Sequence, residues 1–315
     1  MLSRTADNLF WMGRTVERAE NTARMLDVTY RNAMLPSATA TASSEWEAAL
    51  NVGGNAERFA EKHEVASARS VIEFLALDPD NATSIYAGID NAREGARATR
   101  GTITSEMWEN INDTWLEMRT LTWEKMELRG LSRFFDWVKE RSHVFRGVAD
   151  GTMLRDDSYL FLRLGTFLER ADNTARMIDV KYHLLLPEGE QVGGAVDYYQ
   201  WGALLRSLSS FRAYKRLFHD AITPIRVGEL LILRPESPRS LDSCYREIDA
   251  VFKELREIYR RDFECFRHAG EIYSRLRYSR IEDIFKAGLH EFLDDFVARN
   301  DSLGQQISAD FMLRV

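Results

Sequence analysis

Leu9, Met12, Val16, Ala19, Ala23, Leu26 and Tyr30 recur at the three- and four-residue steps of one apolar helix face. Phe161, Leu164, Leu168, Ala171, Ala175, Ile178 and Tyr182 repeat the pattern at a constant offset of 152. The repetition extends to the letters: between Gly13–Tyr30 and Gly165–Tyr182, 12 of 18 positions are identical. The pattern therefore predicts two long helices that are copies of one element. The alanines in the middle of each apolar seam leave room for close approach of a neighbour.

Shorter matches continue the register. Trp46 in WEAAL matches Trp201 in WGALL, Val71–Pro79 matches Val227–Pro235, Ser84-Ile85 matches Ser240-Leu241, and Met153-Leu154-Arg155 matches Met312-Leu313-Arg314. The offset drifts only from 152 to 159. The expected architecture is an all-α, internally duplicated helical bundle with two pseudo-symmetric halves, residues 1–155 and 156–315. Helices are predicted over 81–99, 105–127 and 130–148, with partners over 238–262, 262–277 and 280–308. Ser3, Ser67 and Asp157 or Ser158 can cap helix starts by accepting an orphan backbone N–H, and Pro224 after Thr223 suits a first helical position. Pro36–Ser44 and Pro187–Asp197 read as linkers. No alternating strand pattern with hairpin turns is present.

The polar side of the repeated helices carries the candidate chemistry. At 100° per residue, Glu17, Asn21, Arg24 and Val28 fall on a strip about 60° wide, and Glu169, Asn173, Arg176 and Val180 do the same. Phe10, Met25 and Val28, and Leu162, Met177 and Val180, share or border these strips, so both faces of each helix are expected to be covered. Glu20 and Asp172 precede Arg24 and Arg176 by four residues, the favourable order. An exposed pair of this kind stabilises by only ~0.2–0.5 kcal/mol. A buried unpaired charge costs far more, so retention of both charge and amide points to a buried network. If the two helices meet about a pseudo-twofold axis, Glu17 pairs with Arg170 and Arg18 with Glu169. Such a network can fix helix register, hold a ligand or partner, or place Glu17 or Glu169 as a general base.

Composition narrows these options. The net charge of −7 and pI of about 5.6 do not favour nucleic acid. The arginines of 256–280 alternate with Glu257, Asp262, Glu264 and Glu271, as on a solvated helix face. No segment approaches the ~18 apolar residues of a membrane helix, and the N-terminus lacks a signal-peptide core, so cytoplasmic residence is expected. Cys244 and Cys265 form no CxxC and read as small helix residues. No ExxH, phosphate-binding loop or nucleophile elbow occurs, and arginines beside Glu17/Glu20 and Glu169/Asp172 oppose a cation. Neither metal nor cofactor is expected. His219-Asp220 reads as a surface pair, and the seven tryptophans as packing anchors.

The opening MLSRTADNLFWMGRTVERAENTARMLD, with VIEFLALDPDNATSI (Val71–Ile85) and ITPIRVGELLILRPESPRSL (Ile222–Leu241), resembles the bacterial Alpha-E family over essentially the whole chain. That α-helical family is named for a Glu-Arg motif, which falls on Glu17-Arg18 and, through the repeat, on Glu169-Arg170. The second copy departs from the family's aspartate before proline, with Arg234 in that place. The resemblance implies company with a circularly permuted ATP-grasp ligase, a transglutaminase-like peptidase and sometimes a proteasome-like peptidase, and hence with peptide or amide-bond chemistry. It gives the motif no catalytic role. The leading expectation is a non-catalytic accessory protein. It would scaffold such a ligase, or present a peptide or carboxylate ligand through Arg18, Arg24, Arg170 and Arg176, oriented by Glu17, Asn21, Glu169 and Asn173. The alternative is an enzyme of peptide or amide-bond synthesis or processing, with Glu17 or Glu169 as acid/base.

Overall fold

A computed structural model describes residues 1, 3–34, 42–183 and 194–311, all helix and connecting turns, with no strand among the described residues. In chain order the helices are α1 (Ser3–Ala33), α2 (Ala42–Val52), α3 (Ala56–Ala60), α4 (Ala68–Ile72), α5 (Ile85–Ala98), α6 (Ser105–Met118), α7 (Trp123–Arg129) and α8 (Leu131–Thr152). They continue as α9 (Asp157–His183), α10 (Ala195–Ser207), α11 (Phe211–Phe218), α12 (Pro224–Gly228), α13 (Leu241–Tyr259), α14 (Glu264–Tyr278), α15 (Ile281–Ala287) and α16 (Leu289–Phe311). Pro36, Pro187, most of the two linkers and Met312–Arg314 lie outside the described residues. The linkers end earlier than the sequence suggests, because α2 begins at Ala42 and α10 at Ala195.

The helix α1 is the common wall of two apolar cores. Ala6, Leu9, Met12 and Val16 pack with α9 and the helices that follow it, whereas Ala19, Ala23 and Leu26 pack with Trp46, Ile72, Ile89 and Phe135. Phe161, Leu164, Leu168, Ala171, Ala175 and Ile178 are all buried in the first of these cores. The seams predicted from apolar spacing are thus the core faces. Tyr30 is only half-buried, and the side chains of Val180 and Tyr182 lie outside the described set.

Local chemistry sets the helix ends. Ser67 caps α4 in a reciprocal bond with Ser70, and Pro224 opens α12. Thr223 makes no side-chain cap; its backbone N–H instead donates to the Tyr214 hydroxyl at 3.1 Å. Asp156, rather than Asp157 or Ser158, accepts from the first free N–H groups of α9, because it is the residue just outside the turn. α5 and α13 begin at Ile85 and Leu241, capped by Ser84 and Ser240, several residues later than predicted. Each capping hydroxyl also donates, at 2.6 Å, to the carbonyl of residue 78 or 234. That bond uses only backbone at the acceptor, so it is indifferent to whether aspartate or arginine precedes the proline. Glu73–Leu77 and Glu229–Leu233 are π-helical turns, which α-helical spacing does not reveal.

Two predicted long helices are interrupted. Residues 105–127 divide into α6 and α7 at Arg119–Thr122, where Thr122 caps the new start. Residues 280–308 divide into α15 and α16 at Gly288, whose φ of +113° suits glycine.

Candidate functional site

The site begins with two glycines. α1 and α9 run parallel: their first turns lie together, with the Met1 nitrogen 3.2 Å from the Asp157 carboxylate. A methyl group at Gly13 would overlap the carbonyl oxygen of Leu162, and one at Gly165 that of Phe10. Only hydrogen side chains allow this approach, and one turn later it brings the Glu-Arg pairs face to face.

The cross-pairing is reciprocal. Arg170 grips both oxygens of Glu17, with Nε and Nη2 donating at 2.9 Å each. Arg18 grips both oxygens of Glu169, with Nε donating at 2.5 Å and Nη2 at 2.9 Å. Such two-pronged forks fix orientation as well as charge.

Beyond the forks the two centres differ. Around Glu17 the carboxylates are enclosed by arginines, two of which, Arg146 and Arg170, line a separate cavity of about 510 Å³ that Glu17 itself does not reach. Arg239, from the turn before α13, donates to Glu17 at 3.0 Å, to Asn21 Oδ1 at 2.9 Å and to Glu20 at 2.6 Å. Arg146 of α8 reaches Glu17 at 2.9 Å and Glu20 at 2.5 Å, and Arg24 donates to Glu20 at 2.7 Å. Glu17 and Glu20 have no exposed surface. Burial alone would raise the Glu17 pKa, but Arg170 and Arg239 outweigh it and hold the carboxyl at about 2. Burial likewise opposes ionisation of Glu20, and His143, Arg239, Arg146 and Arg24 carry it well below the ordinary range.

Around Glu169 the cluster is open. Arg14 adds a third bond to Glu169 at 2.8 Å, Arg176 donates to Asp172 at 2.8 Å, and Arg176 lies 3.6 Å from Asp301. A cavity of about 250 Å³ lies beside them, lined also by Asn21, Asn173, Asn55 and Thr83. Arg18 and Arg176 form part of its rim, with side chains 28% and 36% exposed. Burial is again offset by Arg18 and Arg14, so the Glu169 pKa is lowered. Asp172 goes the other way: burial dominates Arg176 and its pKa is raised. Among the described residues nothing bonds to Asp172 Oδ1 or to the buried Nδ2 of Asn21.

The eight predicted residues therefore fall in one continuous region, but in unequal roles. Glu17, Arg170 and Arg24 belong to the closed centre, Arg18, Glu169, Asn173 and Arg176 to the open one, and Asn21 touches both. Sequence reasoning missed Arg239, Arg146 and Arg14. Arg239 and Arg146 come from distant elements, and Arg14 faces Thr166 in the repeat, so identical letters gave no signal for any of them. Trp11 is no packing anchor: it is 41% exposed and lies under the Arg14 guanidinium, 4.9 Å from ring centroid to charge. Asp220 pairs with Arg226 at 2.7 Å rather than with His219.

Cys244 and Cys265 are buried free thiols, and burial pushes Cys244 up to about 12, the reverse of a nucleophile's requirement. No group of three or more His, Cys, Asp or Glu among the described residues is placed to hold a metal ion. No described helix is long and apolar enough to cross a membrane.

The fold is thus all-helical, with two Glu-Arg dipeptides, Glu17-Arg18 and Glu169-Arg170, joined in reciprocal forks. Residues 1–312 match the Alpha-E family model, described as a predicted alpha-helical domain with a conserved ER motif, and the chain belongs to that family. An uncharacterized protein of Mycobacterium bovis is 24% identical over 272 residues, covering 80% of this chain and 30% of that protein. Uncharacterized proteins from two Mycobacterium tuberculosis strains are 24% and 23% identical over the same length and coverage. The chain thus spans about 30% of the length of these relatives. No solved structure matches it significantly.

Proposed function

We propose that this chain is a non-catalytic accessory protein. It binds a small carboxylate-bearing or peptide ligand in the cavity beside Glu169 and presents it to an ATP-grasp peptide or amide ligase. The observation that carries the binding reading is the cavity itself. Three guanidinium groups, Arg14, Arg18 and Arg176, line it together with amides of Asn21 and Asn173, a donor set suited to carboxylate. The ligase as partner follows from the family resemblance. The length of the mycobacterial relatives, of which this chain spans about 30%, leaves room there for neighbouring domains to share the task.

The enzyme reading lacks support. A general base needs a carboxylate tuned toward neutrality and open to substrate. Glu17 is fully buried with its pKa at about 2, and the Glu169 pKa is also lowered. Their role is to hold arginines in place.

We also read the chain as an internal duplication with halves near 1–155 and 156–315, working in the cytoplasm as one unit. The reciprocal forks, the paired π-turns at Glu73–Leu77 and Glu229–Leu233 and the paired serine caps support the duplication. The shared wall formed by α1 supports the single unit.

The test is co-purification with an ATP-grasp protein encoded beside the gene, followed by assay of ligase product with and without this chain. A stable complex and product that depends on the chain are expected. Unaltered product and no complex would reject the accessory role.

A further inference from the structure

The register that sets Ser84-Ile85 against Ser240-Leu241 also sets Thr83 against Arg239. At the closed centre the Arg239 guanidinium fills the space in front of Glu17, Glu20 and Asn21. At the open centre Thr83 stands on the cavity wall, its one hydroxyl proton shared between Asn55 Oδ1 at 2.7 Å and Asn81 Oδ1 at 2.8 Å. Threonine is too short to cross as the arginine does.

The acceptors that hold Arg239 have counterparts that no arginine from the turn before α5 reaches; Asp172 keeps Arg176, on its other oxygen only. Glu20 matches Asp172 and Asn21 matches Asn173 at the offset of 152. Glu20 receives Arg239, whereas Asp172 Oδ1 is buried and unmet, and Asn173 lines the cavity. A buried carboxylate oxygen without a donor is costly, and a cation is its natural complement. The cavity has an unmet donor as well. Arg239 can only donate, so it fixes the amide oxygen of Asn21 toward itself and leaves Nδ2 without an acceptor. One acceptor and one donor, both buried, thus await partners in a space whose three arginines balance Glu169, Asp172 and Asp301.

We propose that the cavity beside Glu169 binds a free α-amino acid. Its ammonium occupies the place that the Arg239 guanidinium holds at the other centre, against Asp172 Oδ1, and its carboxylate accepts from Asn21 Nδ2 and from an arginine of the cavity wall. This rests on the reading of the cavity as a ligand site and narrows it to a zwitterion. The size agrees: about 250 Å³ lies below the roughly 300–1,000 Å³ typical of pockets for cofactors and drug-sized ligands and suits a small molecule. Formal neutrality of the lining also disfavours a simple anion, which would leave Asp172 facing negative charge.

The experiment is calorimetry on the full chain with each of the twenty protein amino acids. Those that bind are then compared with their N-acetyl derivatives, which lack the ammonium, and their amides, which lack the carboxylate. At least one free amino acid is expected to bind, with both derivatives at least tenfold weaker. Asp172→Asn, nearly isosteric, is expected to erase the preference over the N-acetyl form while circular dichroism stays unchanged. Thr83→Arg, which supplies a guanidinium where the ligand ammonium belongs, is expected to abolish binding. If N-acetyl derivatives bind as tightly as the free amino acids, the carboxylate site stands and the zwitterion falls. If neither set binds, both fall. Unchanged binding in Thr83→Arg would also overturn the assignment of the ammonium to that place.

Discussion

Two Glu-Arg pairs that match letter for letter sit in opposite circumstances. Glu17 is sealed by Arg170, Arg146 and Arg239, all from within the chain, whereas Glu169 keeps Arg14 and Arg18 and looks onto a cavity. The comparison teaches that a repeated motif need not repeat a role. The residues that decide the role are those outside the motif, here Arg239 at one centre and Thr83 at the other. The closed centre behaves as architecture, because every charge in it answers another. The open one leaves Asp172 Oδ1 with no donor or cation, where Glu20 Oε2 of the closed centre has Arg146 at 2.5 Å.

The sharpest way to break this contrast is to neutralise each glutamate in turn. Glu17→Gln leaves Arg170 and Arg239 buried without their carboxylate, and a loss of about 3–5 kcal/mol in urea denaturation is expected. Glu169→Gln frees Arg18 and Arg14, which water can partly reach, so about 1–2 kcal/mol is expected. Equal losses would erase the distinction between the centres. Arg239→Met probes the closed centre from the other side. It removes one of several cations facing Glu17 and Glu20, with an expected cost of about 3 kcal/mol. No loss would mean that Arg239 is dispensable packing.

Acid gives the next test. The Glu17 carboxyl is held at about 2 against an ordinary value of 4.5, so its contribution is complete above about pH 4.5 and is lost as pH falls toward 2. The integrated loss is on the order of 3 kcal/mol. Urea midpoints measured from about pH 5 down to about pH 3 should therefore fall more steeply in the parent than in Glu17→Gln, and parallel curves would refute the assignment. Asp172 has the opposite sign. Its raised pKa means that its ionised form opposes folding at neutral pH, and that this cost is relieved as pH falls through the raised value. The smallest expected effect is that of Thr83→Arg, which offers Asp172 Oδ1 the donor it lacks. A rise of up to about 1 kcal/mol in unfolding free energy should accompany its loss of ligand binding, and a drop in thermal midpoint would show that the arginine does not enter the cavity.

Much of this arrangement was legible in the chain. The apolar seams of α1 and α9 were, since three- and four-residue spacing translates directly into a buried stripe. The reciprocal forks were too, because charges that recur at matching positions of both helices beside alanine-lined seams have few other places to go. The breaks at Thr122 and Gly288 were not, since the apolar period runs through them and only a cap or a positive φ marks the stop. Arg239, Arg146 and Arg14 were invisible because long-range partners leave no local spacing and have no repeated letter. The openness of one centre was beyond reach for the same reason: it depends on which side chain fails to arrive.

The most direct measurement is a crystal structure of the chain grown with the amino acid that binds it most tightly. The account predicts ligand density in the cavity beside Glu169, its nitrogen against Asp172, with Arg239 unmoved at Glu17. Ligand at Glu17 with Arg239 displaced, or an empty Glu169 cavity at saturating concentration, would contradict it.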